Sequence, residues 1–243
     1  MEPQQVLLNK GNVMIKEKIL KSTKYIGSGI EQSISASSVG NETCQNWLRA
    51  KHGIINDTEV GQNTIGSILH LGMETMFKDT VYSTEKNFSK KLSDYTITGT
   101  ADLVTDDCIY DYKLTKNYTY KMWIKDQLTN GYTIQLNVLR WLAESNDPST
   151  KFSMKLVWFL KDANATKDEP NMIISDVPII DIEPIIQQAI DDIKGVLDVP
   201  PKCKDLWMRK VKGTNVPFKC KYYCSYNKVC PHYTTAIETP TSW

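Results

Sequence analysis

A short stretch in the middle of the chain holds two carboxylates and an ammonium group at a spacing that suits metal chemistry. Asp102 lies in a segment rich in Thr, Ile and Val, and Asp111 and Lys113 lie in a similar segment beyond a short polar turn. Two such segments joined by a turn predict a β-hairpin with strands over 96–104 and 108–114. The hairpin would bring Asp102 close to Asp111.

The geometry of a strand predicts which of these side chains act together. Residues two apart point to the same face of a sheet, so Asp111 and Lys113 would project together. Asp102 and Asp111 offer the oxygen ligands that a hard divalent cation prefers. Such a cation activates water and neutralises charge on a phosphate, while Lys113 can orient the water, which predicts phosphodiester hydrolysis. The alternative is a solvated hairpin with ordinary surface charges, because a motif this short also occurs by chance.

The wider motif resembles that of a known superfamily. The segments Gly99-Thr-Ala-Asp102 and Ile109-Tyr-Asp111-Tyr-Lys113 are similar to the Gly-x-x-Asp and Asp-x-Lys core of the PD-(D/E)xK nucleases. Within that superfamily the chain resembles the RecB-like exonuclease branch, which includes the CRISPR-associated RecB-like exonucleases and the AddB nuclease domain. The resemblance implies an α/β fold with a restriction-endonuclease-like core, in which helices flank a central mixed β-sheet.

A histidine gains a role from this resemblance. Apolar residues at helical spacing predict a helix over 65–77, and on it Gly66-x-x-x-His70 matches the family motif in which the histidine completes the metal site. Without the resemblance, a lone histidine beside an apolar stripe is more often a packed or surface residue. An imidazole among carboxylates makes manganese as suitable as magnesium. The implied ligands of Mg²⁺ or Mn²⁺ are His70, Asp102, Asp111 and the backbone carbonyl of Tyr112.

A glutamine on a second predicted helix, over 132–144, matches another family motif. Gln135 begins the segment Gln-Leu-Asn-Val-Leu139, where the family has Gln-x-x-x-Tyr. The resemblance gives Gln135 the task of orienting Lys113 or the substrate. Leu139 in place of the tyrosine puts a nucleic-acid contact in doubt and leaves the metal ligands intact.

Other segments of the chain predict the scaffold around the hairpin. Composition and periodicity predict strands over 85–92, 152–160 and 171–177 and a helix over 182–197. After the hairpin, Leu114, Thr115 and Lys116 are predicted to open a loop dense in Tyr and Lys, and its aromatic side chains Tyr118, Tyr120 and Trp123 either stack on bases or pack in the core. Glu85 is either an accessory acid or a surface residue.

The six cysteines indicate a bound metal rather than disulfides, because no secretory signal is recognisable and the chain is expected to be intracellular. Cys220, Cys224 and Cys230 place three thiols within eleven residues. This density favours zinc or an iron–sulfur cluster. Spacing alone leaves open three candidates for the fourth ligand, which are His232, Cys203 and Cys44.

The resemblance selects one of these candidates. RecB-like nucleases that hold a cluster use one cysteine ahead of the nuclease core and three behind it. A four-iron, four-sulfur cluster is therefore implied, with structural zinc as the alternative, and its ligands are Cys44, Cys220, Cys224 and Cys230. The cluster would tie the N-terminal helix to the C-terminal tail as a cap. Cys108 is predicted to be a core residue, and Cys203 has no assigned role.

Length and composition fit a globular protein with one large domain, or a domain with a small appendage. The 243 residues are 41% apolar and 23% charged, which argues against disorder. The predicted organisation is an N-terminal helical segment over 1–60, a nuclease core over 61–199 and a basic, cysteine-bearing tail over 200–243. No apolar run is long enough to span a membrane, so the chain is expected in the cytoplasm, or in the host-cell cytoplasm if it is viral.

A net charge of +1 neither requires nor excludes nucleic acid, because phosphate contacts depend on a local patch of cations. The tail over 202–221 interleaves lysines with aromatic residues, which suits single-stranded DNA, although a solvated face explains it equally. The candidate contacts are Lys116, Tyr118, Arg209 and Lys210.

These features together predict a metal-dependent DNA nuclease. The resemblance implies an exonuclease on single-stranded DNA with 5′-to-3′ polarity, acting in repair, recombination or replication, alone, as a homo-oligomer or with a helicase or recombination partner. One alternative is an end-processing subunit of a CRISPR adaptation or helicase–nuclease assembly, whose motor would be a separate protein because this chain has no phosphate-binding loop motif. Another is a non-catalytic, metal-stapled protein for DNA binding or assembly.

Overall fold

The computed structural model describes residues 33–41, 43–52, 60–163, 170–194, 203, 208–211, 214–217, 220–221, 224 and 226–233. The helices are α1 Ala36–Val39, α2 Thr43–His52, α3 Val60–Phe77, α4 Asn117–Lys125, α5 Gly131–Asn146 and α6 Glu183–Lys194. The strands are β1 Ser33–Ser35, β2 Ser83–Leu92, β3 Tyr95–Val104, β4 Cys108–Thr115, β5 Ser153–Leu160, β6 Met172–Asp176, β7 Met208–Val211 and β8 Thr214–Pro217. None of the described helices is both long and apolar enough to cross a bilayer.

A mixed six-stranded sheet forms the centre of the described part of the chain. Strands β2 and β3 make a long antiparallel hairpin. The other edge of β3 is shared, because β1 runs parallel to its first half and β4 pairs antiparallel with its end. Strand β5 lies parallel to β4, and β6 closes the sheet antiparallel to β5. The predicted α/β class with a central mixed β-sheet is confirmed, whereas the cluster-tied cap stays a prediction.

Helix α5 covers one face of the sheet. It begins at Gly131 because the side chain of Asn130 accepts a hydrogen bond from the N–H of Tyr132 at 3.0 Å, which satisfies a backbone donor at the start of the helix. Its apolar side chains, including Leu136 and Leu139, are fully buried against residues of the central strands. The predicted helix over 132–144 is therefore confirmed as a core element.

Helix α3 lies on the other face of the sheet. Leu69 and Met73 pack against a smaller apolar cluster built by Leu103, Tyr112 and Val157. The residues of α3 that meet the sheet are thus spaced by a helical turn, as the sequence predicted. This packing fixes which side of the helix, and therefore which of its polar residues, faces the sheet.

The prediction that a loop dense in Tyr and Lys opens after the hairpin is wrong, because strand β4 continues to Thr115 and helix α4 begins at Asn117. Trp123 is buried, and its Nε1 donates a hydrogen bond to Thr133 Oγ1 at 3.1 Å. Tyr120 packs against the core, where its ring stacks on that of Trp123. Packing of these two aromatic side chains on the core supplies the stabilisation that the intrinsic helix propensity of the segment does not suggest.

Strand β3 and helix α5 approach each other closely at Gly99, and this contact generates a prediction. A Cβ atom at this position would lie 2.5 Å from Leu139 Cδ2 and 3.0 Å from Ala36 Cβ, so Gly99→Ala overpacks the core. We expect a loss of about 1 to 3 kcal/mol in the free energy of unfolding, measured by urea denaturation. The control is Gly72→Ala on α3, where an added methyl group meets nothing within 4 Å. Equal stability of the two variants would contradict the close packing.

Candidate functional site

Three carboxylates lie in one row across neighbouring strands. Leu103 of β3 pairs with Thr84 of β2 and with Tyr110 of β4. Continuing both registers by one residue places Asp102 between Glu85 on β2 and Asp111 on β4. Regular pairing of β3 with β4 stops at this point, so the row lies where the two strands part.

A histidine from α3 meets this row. His70 Nδ1 lies 3.2 Å from Asp102 Oδ1 and 3.5 Å from Glu85 Oε1. One ligand atom from each of these three residues falls within 4.8 Å of the others, close enough to share a single ion. The packing of α3 on the sheet presents His70 to the carboxylates, and its ring also meets that of Tyr112 edge to face.

The second oxygen of Asp102 accepts a hydrogen bond from a backbone N–H of β4, beyond the point where β3 and β4 are regularly paired. The N–H of Tyr112 donates to Asp102 Oδ2 at 2.6 Å. This bond orients the buried carboxylate and leaves its other oxygen facing His70. The peptide of Tyr112 is therefore anchored beside Asp102, and the ligand role of the Tyr112 carbonyl stays a prediction.

Asp111 is held from two sides. Lys113 Nζ lies 2.6 Å from Asp111 Oδ2 in an ion-pair contact that does not have good hydrogen-bond geometry. Gln135 Nε2 on α5 donates to Asp111 Oδ1 at 3.1 Å. The ammonium of Lys113 also lies 5.0 Å from the centre of the Tyr132 ring, a distance that suits a cation–π interaction. The predicted grouping of Asp111, Lys113 and Gln135 thus occurs around a carboxylate that is only 2% exposed.

Burial and close contacts change the acidity of these groups. Burial raises the pKa of Asp111 to about 6, with a smaller raising effect from Asp102, and Lys113 opposes both. For Lys113, burial works to lower the pKa, but the ion pair with Asp111 outweighs it and the pKa ends above its ordinary value. Hydrogen bonds to Asp102 and then to Glu85 raise the pKa of His70 to about 10. Lys113 and His70 therefore carry positive charge at neutral pH.

The residues fit a divalent cation. Glu85 and Asp102 offer the oxygen ligands that Mg²⁺ and Mn²⁺ prefer, and neutral His70 adds one nitrogen ligand. Asp111 lies outside this group of three, with Lys113 and Gln135 at its two oxygens, and its role as a ligand stays a prediction. The raised pKa of Asp111 reflects burial beside another carboxylate, and a bound cation would relieve this repulsion. His70 has to lose its proton before it can bind such an ion.

Glu85 is the residue that the sequence interpretation left open. Its backbone has a positive φ of 48°, a conformation that non-glycine residues rarely adopt and that is often found at functional sites. A signal for its position was available in the sequence. Counting back along the hairpin from the turn at Ser93 and Asp94 places Glu85 opposite Asp102.

The predicted nucleic-acid contacts lie outside the carboxylate group. Lys116 and Tyr118 follow Lys113 at the start of α4, and both are exposed, Tyr118 to 69%. Lys210 is exposed on β7, whereas the side chain of Arg209 lies outside the described residues. Leu139 is fully buried, so it presents no side chain to a ligand.

The cysteines form a second group. Cys44 on α2 packs with Cys230, Cys203 and Cys224 in a small cluster with aromatic residues, and Cys220 joins them through a contact with Cys203. All six cysteines of the chain are free of disulfides. Cys108 lies apart from the others in β4 and is buried, in agreement with its predicted core position. The sequence interpretation gave no role to Cys203, although spacing had kept it among the candidates.

Backbone groups point at two of these sulfur atoms. The N–H of Tyr226 donates to the sulfur of Cys224, and the N–H groups of His232 and Tyr233 donate to that of Cys230. A hydrogen bond from the Cys44 thiol, followed by these backbone donors, lowers the pKa of Cys230 to about 6. Donors of this kind stabilise thiolates, the form of cysteine that binds metals.

Comparison with known proteins bears on the fold. No protein-family model matches the chain, and no curated protein matches it in sequence. Among solved structures, the chain is similar to the crystal structure of SSO0001, with 18% identity and a TM-score of 0.59 over 91% of this chain and 96% of that one. At this identity the similarity concerns the arrangement of helices and strands.

Two exonuclease structures are similar to a smaller extent. One is a phage-related exonuclease from Haemophilus somnus 129PT, with 12% identity and a TM-score of 0.44 over 66% of this chain and 91% of that one. The other is the alkaline exonuclease LHK-Exo from Laribacter hongkongensis, with 10% identity and a TM-score of 0.40 over 67% of this chain and 88% of that one.

The raised pKa of His70 predicts that metal binding releases a proton. At pH 8 the metal-free protein holds His70 protonated, because its pKa is about 10, whereas a metal ligand must be a neutral imidazole. Protons compete with Mn²⁺ for His70, and they compete more strongly at lower pH. The affinity for Mn²⁺ should therefore increase as the pH rises from about 6 towards about 10. Calorimetry at pH 8 in two buffers of different ionisation enthalpy should give about one proton released per ion.

The matched variant for this titration is His70→Gln, which keeps a polar side chain without a titratable proton. It should bind Mn²⁺ more weakly and release no proton. Identical binding enthalpies for the parent protein in both buffers would contradict the assignment of His70 as a ligand.

Proposed function

We propose that the chain is a divalent-metal-dependent deoxyribonuclease of the PD-(D/E)xK type that removes nucleotides from an end of single-stranded DNA, with 5′-to-3′ polarity. The observation that carries the proposal is the row of Glu85, Asp102 and Asp111, flanked by His70 and Lys113. This set combines the acidic ligands, the imidazole and the ammonium group that metal-assisted phosphodiester hydrolysis requires.

His70, Glu85, Asp102 and Asp111 would hold the cation. When bound, Mg²⁺ or Mn²⁺ lowers the pKa of water and neutralises negative charge on the scissile phosphate. Asp102 is oriented for its part by the N–H of Tyr112, which donates to one oxygen at 2.6 Å. The burial of Asp102 and Asp111 excludes solvent, which strengthens their attraction for a cation.

Lys113 would position the attacking water and stabilise negative charge on the phosphate. Its ion pair with Asp111 keeps it protonated, because the pair offsets the effect of burial on its pKa. Gln135 acts as a positioning residue, since its amide holds the other oxygen of Asp111. The charged ammonium group of Lys113 therefore lies at one oxygen of Asp111, and the amide of Gln135 lies at the other.

Lys116 and Tyr118 would guide the strand. They follow Lys113 by three and five residues, so a DNA backbone passing Lys113 meets an exposed ammonium group and an exposed aromatic ring. An ammonium group binds phosphate, and an aromatic ring stacks on bases without regard to sequence. An exposed tyrosine at 118 supplies the aromatic contact that the buried Leu139 does not.

The cysteine cluster would hold a four-iron, four-sulfur cluster through Cys44, Cys220, Cys224 and Cys230. Hydrogen bonds from backbone N–H groups to cysteine sulfurs support a thiolate–metal site. Structural zinc on the same thiolates is the alternative. The cluster would join the tail over 200–243 to α2.

Removal of one metal ligand should abolish hydrolysis while sparing the fold. Asp111→Asn keeps the size of the side chain but removes its charge, so we expect a fall of about 100-fold or more in the rate of DNA shortening. The assay follows end-labelled single-stranded and duplex DNA with Mg²⁺, with Mn²⁺ and with EDTA. The position of the label that is lost first gives the polarity.

The control is Asp176→Asn, which makes the same chemical change at an exposed carboxylate on β6 that pairs with Lys155. It should leave the rate within a factor of about two, since exposed ion pairs contribute little. If the parent protein binds DNA but cleaves neither substrate with either metal, the nuclease proposal is wrong for this chain.

Glu85→Gln tests the ligand that strand register adds to the set. Loss of one of the carboxylates should weaken Mn²⁺ binding about 10- to 100-fold, and excess Mn²⁺ should restore a large part of the cleavage rate. Calorimetric affinity and the metal dependence of the rate measure this effect. Glu74→Gln, at an exposed position on α3, is the matched control. Unchanged metal affinity in Glu85→Gln would exclude Glu85 as a ligand.

A further inference from the structure

The cysteine group contains one thiol more than a metal centre of the proposed kind uses. Cuboidal iron–sulfur clusters and tetrahedral zinc each take four protein ligands. Five cysteines meet here, because Cys203 lies with the four that the sequence resemblance selected. The role of this fifth thiol is not explained by the proposed cluster.

Burial divides the five thiols into two sets. Cys44, Cys220 and Cys230 are buried, with 1%, 9% and 5% of their surfaces exposed. Cys203 and Cys224 are both only partly buried. Three buried cysteines and two partly exposed ones at the rim of the group fit a metal centre with three buried ligands, whose fourth ligand lies on the side that faces solvent.

Cys203 has the contacts expected of a ligand. Its sulfur is within hydrogen-bonding range of the sulfurs of Cys44 and Cys220, so it lies between two of the enclosed thiols. Cys224 has a different kind of support, because its sulfur accepts hydrogen bonds from the N–H of Tyr226 and the side chain of Gln45. Cys203 and Cys224, the two partly buried cysteines, are thus each placed to act as a metal ligand, but by different neighbouring groups.

We infer that Cys203 and Cys224 share the fourth ligand position of the thiolate centre, each being able to fill it when the other does not. The inference rests on the proposed metal cluster and does not depend on the nuclease site. Among the residues that the structure describes, no sixth cysteine lies in the group to replace an enclosed one.

The test measures iron, acid-labile sulfide and zinc in anaerobically purified variants of the full chain. Cys203→Ser and Cys224→Ser should each retain about half or more of the metal of the parent protein, whereas the double variant should lose it about tenfold. Cys44→Ser, which removes an enclosed ligand, should lose as much as the double variant. Cys108→Ser, in β4 and apart from the group, controls for loss of a buried thiol. Circular dichroism verifies that each variant is folded.

Alkylation of the metal-loaded parent protein provides a second readout. If the position is shared, iodoacetamide followed by mass spectrometry should find about one label per chain, divided between Cys203 and Cys224. Label on Cys203 alone, or loss of metal in Cys224→Ser equal to that in Cys44→Ser, would overturn the inference while leaving the cluster intact. A parent protein with neither iron nor zinc would instead overturn the cluster proposal and this inference with it.

Discussion

The burial of two carboxylates beside each other is the constraint on which the site depends. Burial raises the pKa of Asp111, and the neighbouring Asp102 adds to the effect. Like charges in a medium of low dielectric constant repel strongly, so each carboxylate needs its own donors. Asp102 faces His70 and a backbone N–H of β4, whereas Asp111 lies between Lys113 and Gln135. The donors come from α3, β4 and α5, so the site forms only when helices cover both faces of the sheet.

Close packing on one side of the sheet makes this arrangement geometrically possible. Gly99 has no side chain, and Leu139 of α5 and Ala36 of α1 occupy the space where a Cβ atom would lie. The helix can therefore approach β3 more closely than it could over a larger residue. Gln135 lies one turn before Leu139 on the same side of α5, so the close approach that Gly99 allows also brings the amide of Gln135 to Asp111. Helix α5 therefore makes both the packing contact at Gly99 and the hydrogen bond to Asp111.

Local patterns in the sequence predicted most of the sheet and much of the site. Strand periodicity and a short turn were enough to pair Asp102 with Asp111, because both are properties of contiguous residues. Helix α4 was missed because the burial of Trp123, a tertiary effect, determines its structure. The convergence of Cys203 with Cys44 depends on the path of the chain between distant segments, which spacing cannot give. Such features depend on contacts between segments that are distant in the sequence, so spacing could keep Cys203 among the candidate ligands but could not select it.

The difference between Gln-x-x-x-Leu in this chain and the Gln-x-x-x-Tyr motif that it resembles illustrates how motif positions differ in physical role. Gln135 and Leu139 are four residues apart and therefore lie on the same side of α5. Only Gln135 contacts a member of the carboxylate group, whereas Leu139 is fully buried in the core beside Gly99. A leucine at 139 changes what fills the core and leaves the hydrogen bond to Asp111 in place. Leucine at position 139 therefore affects how α5 packs on β3, and it does not change the groups that would hold a metal.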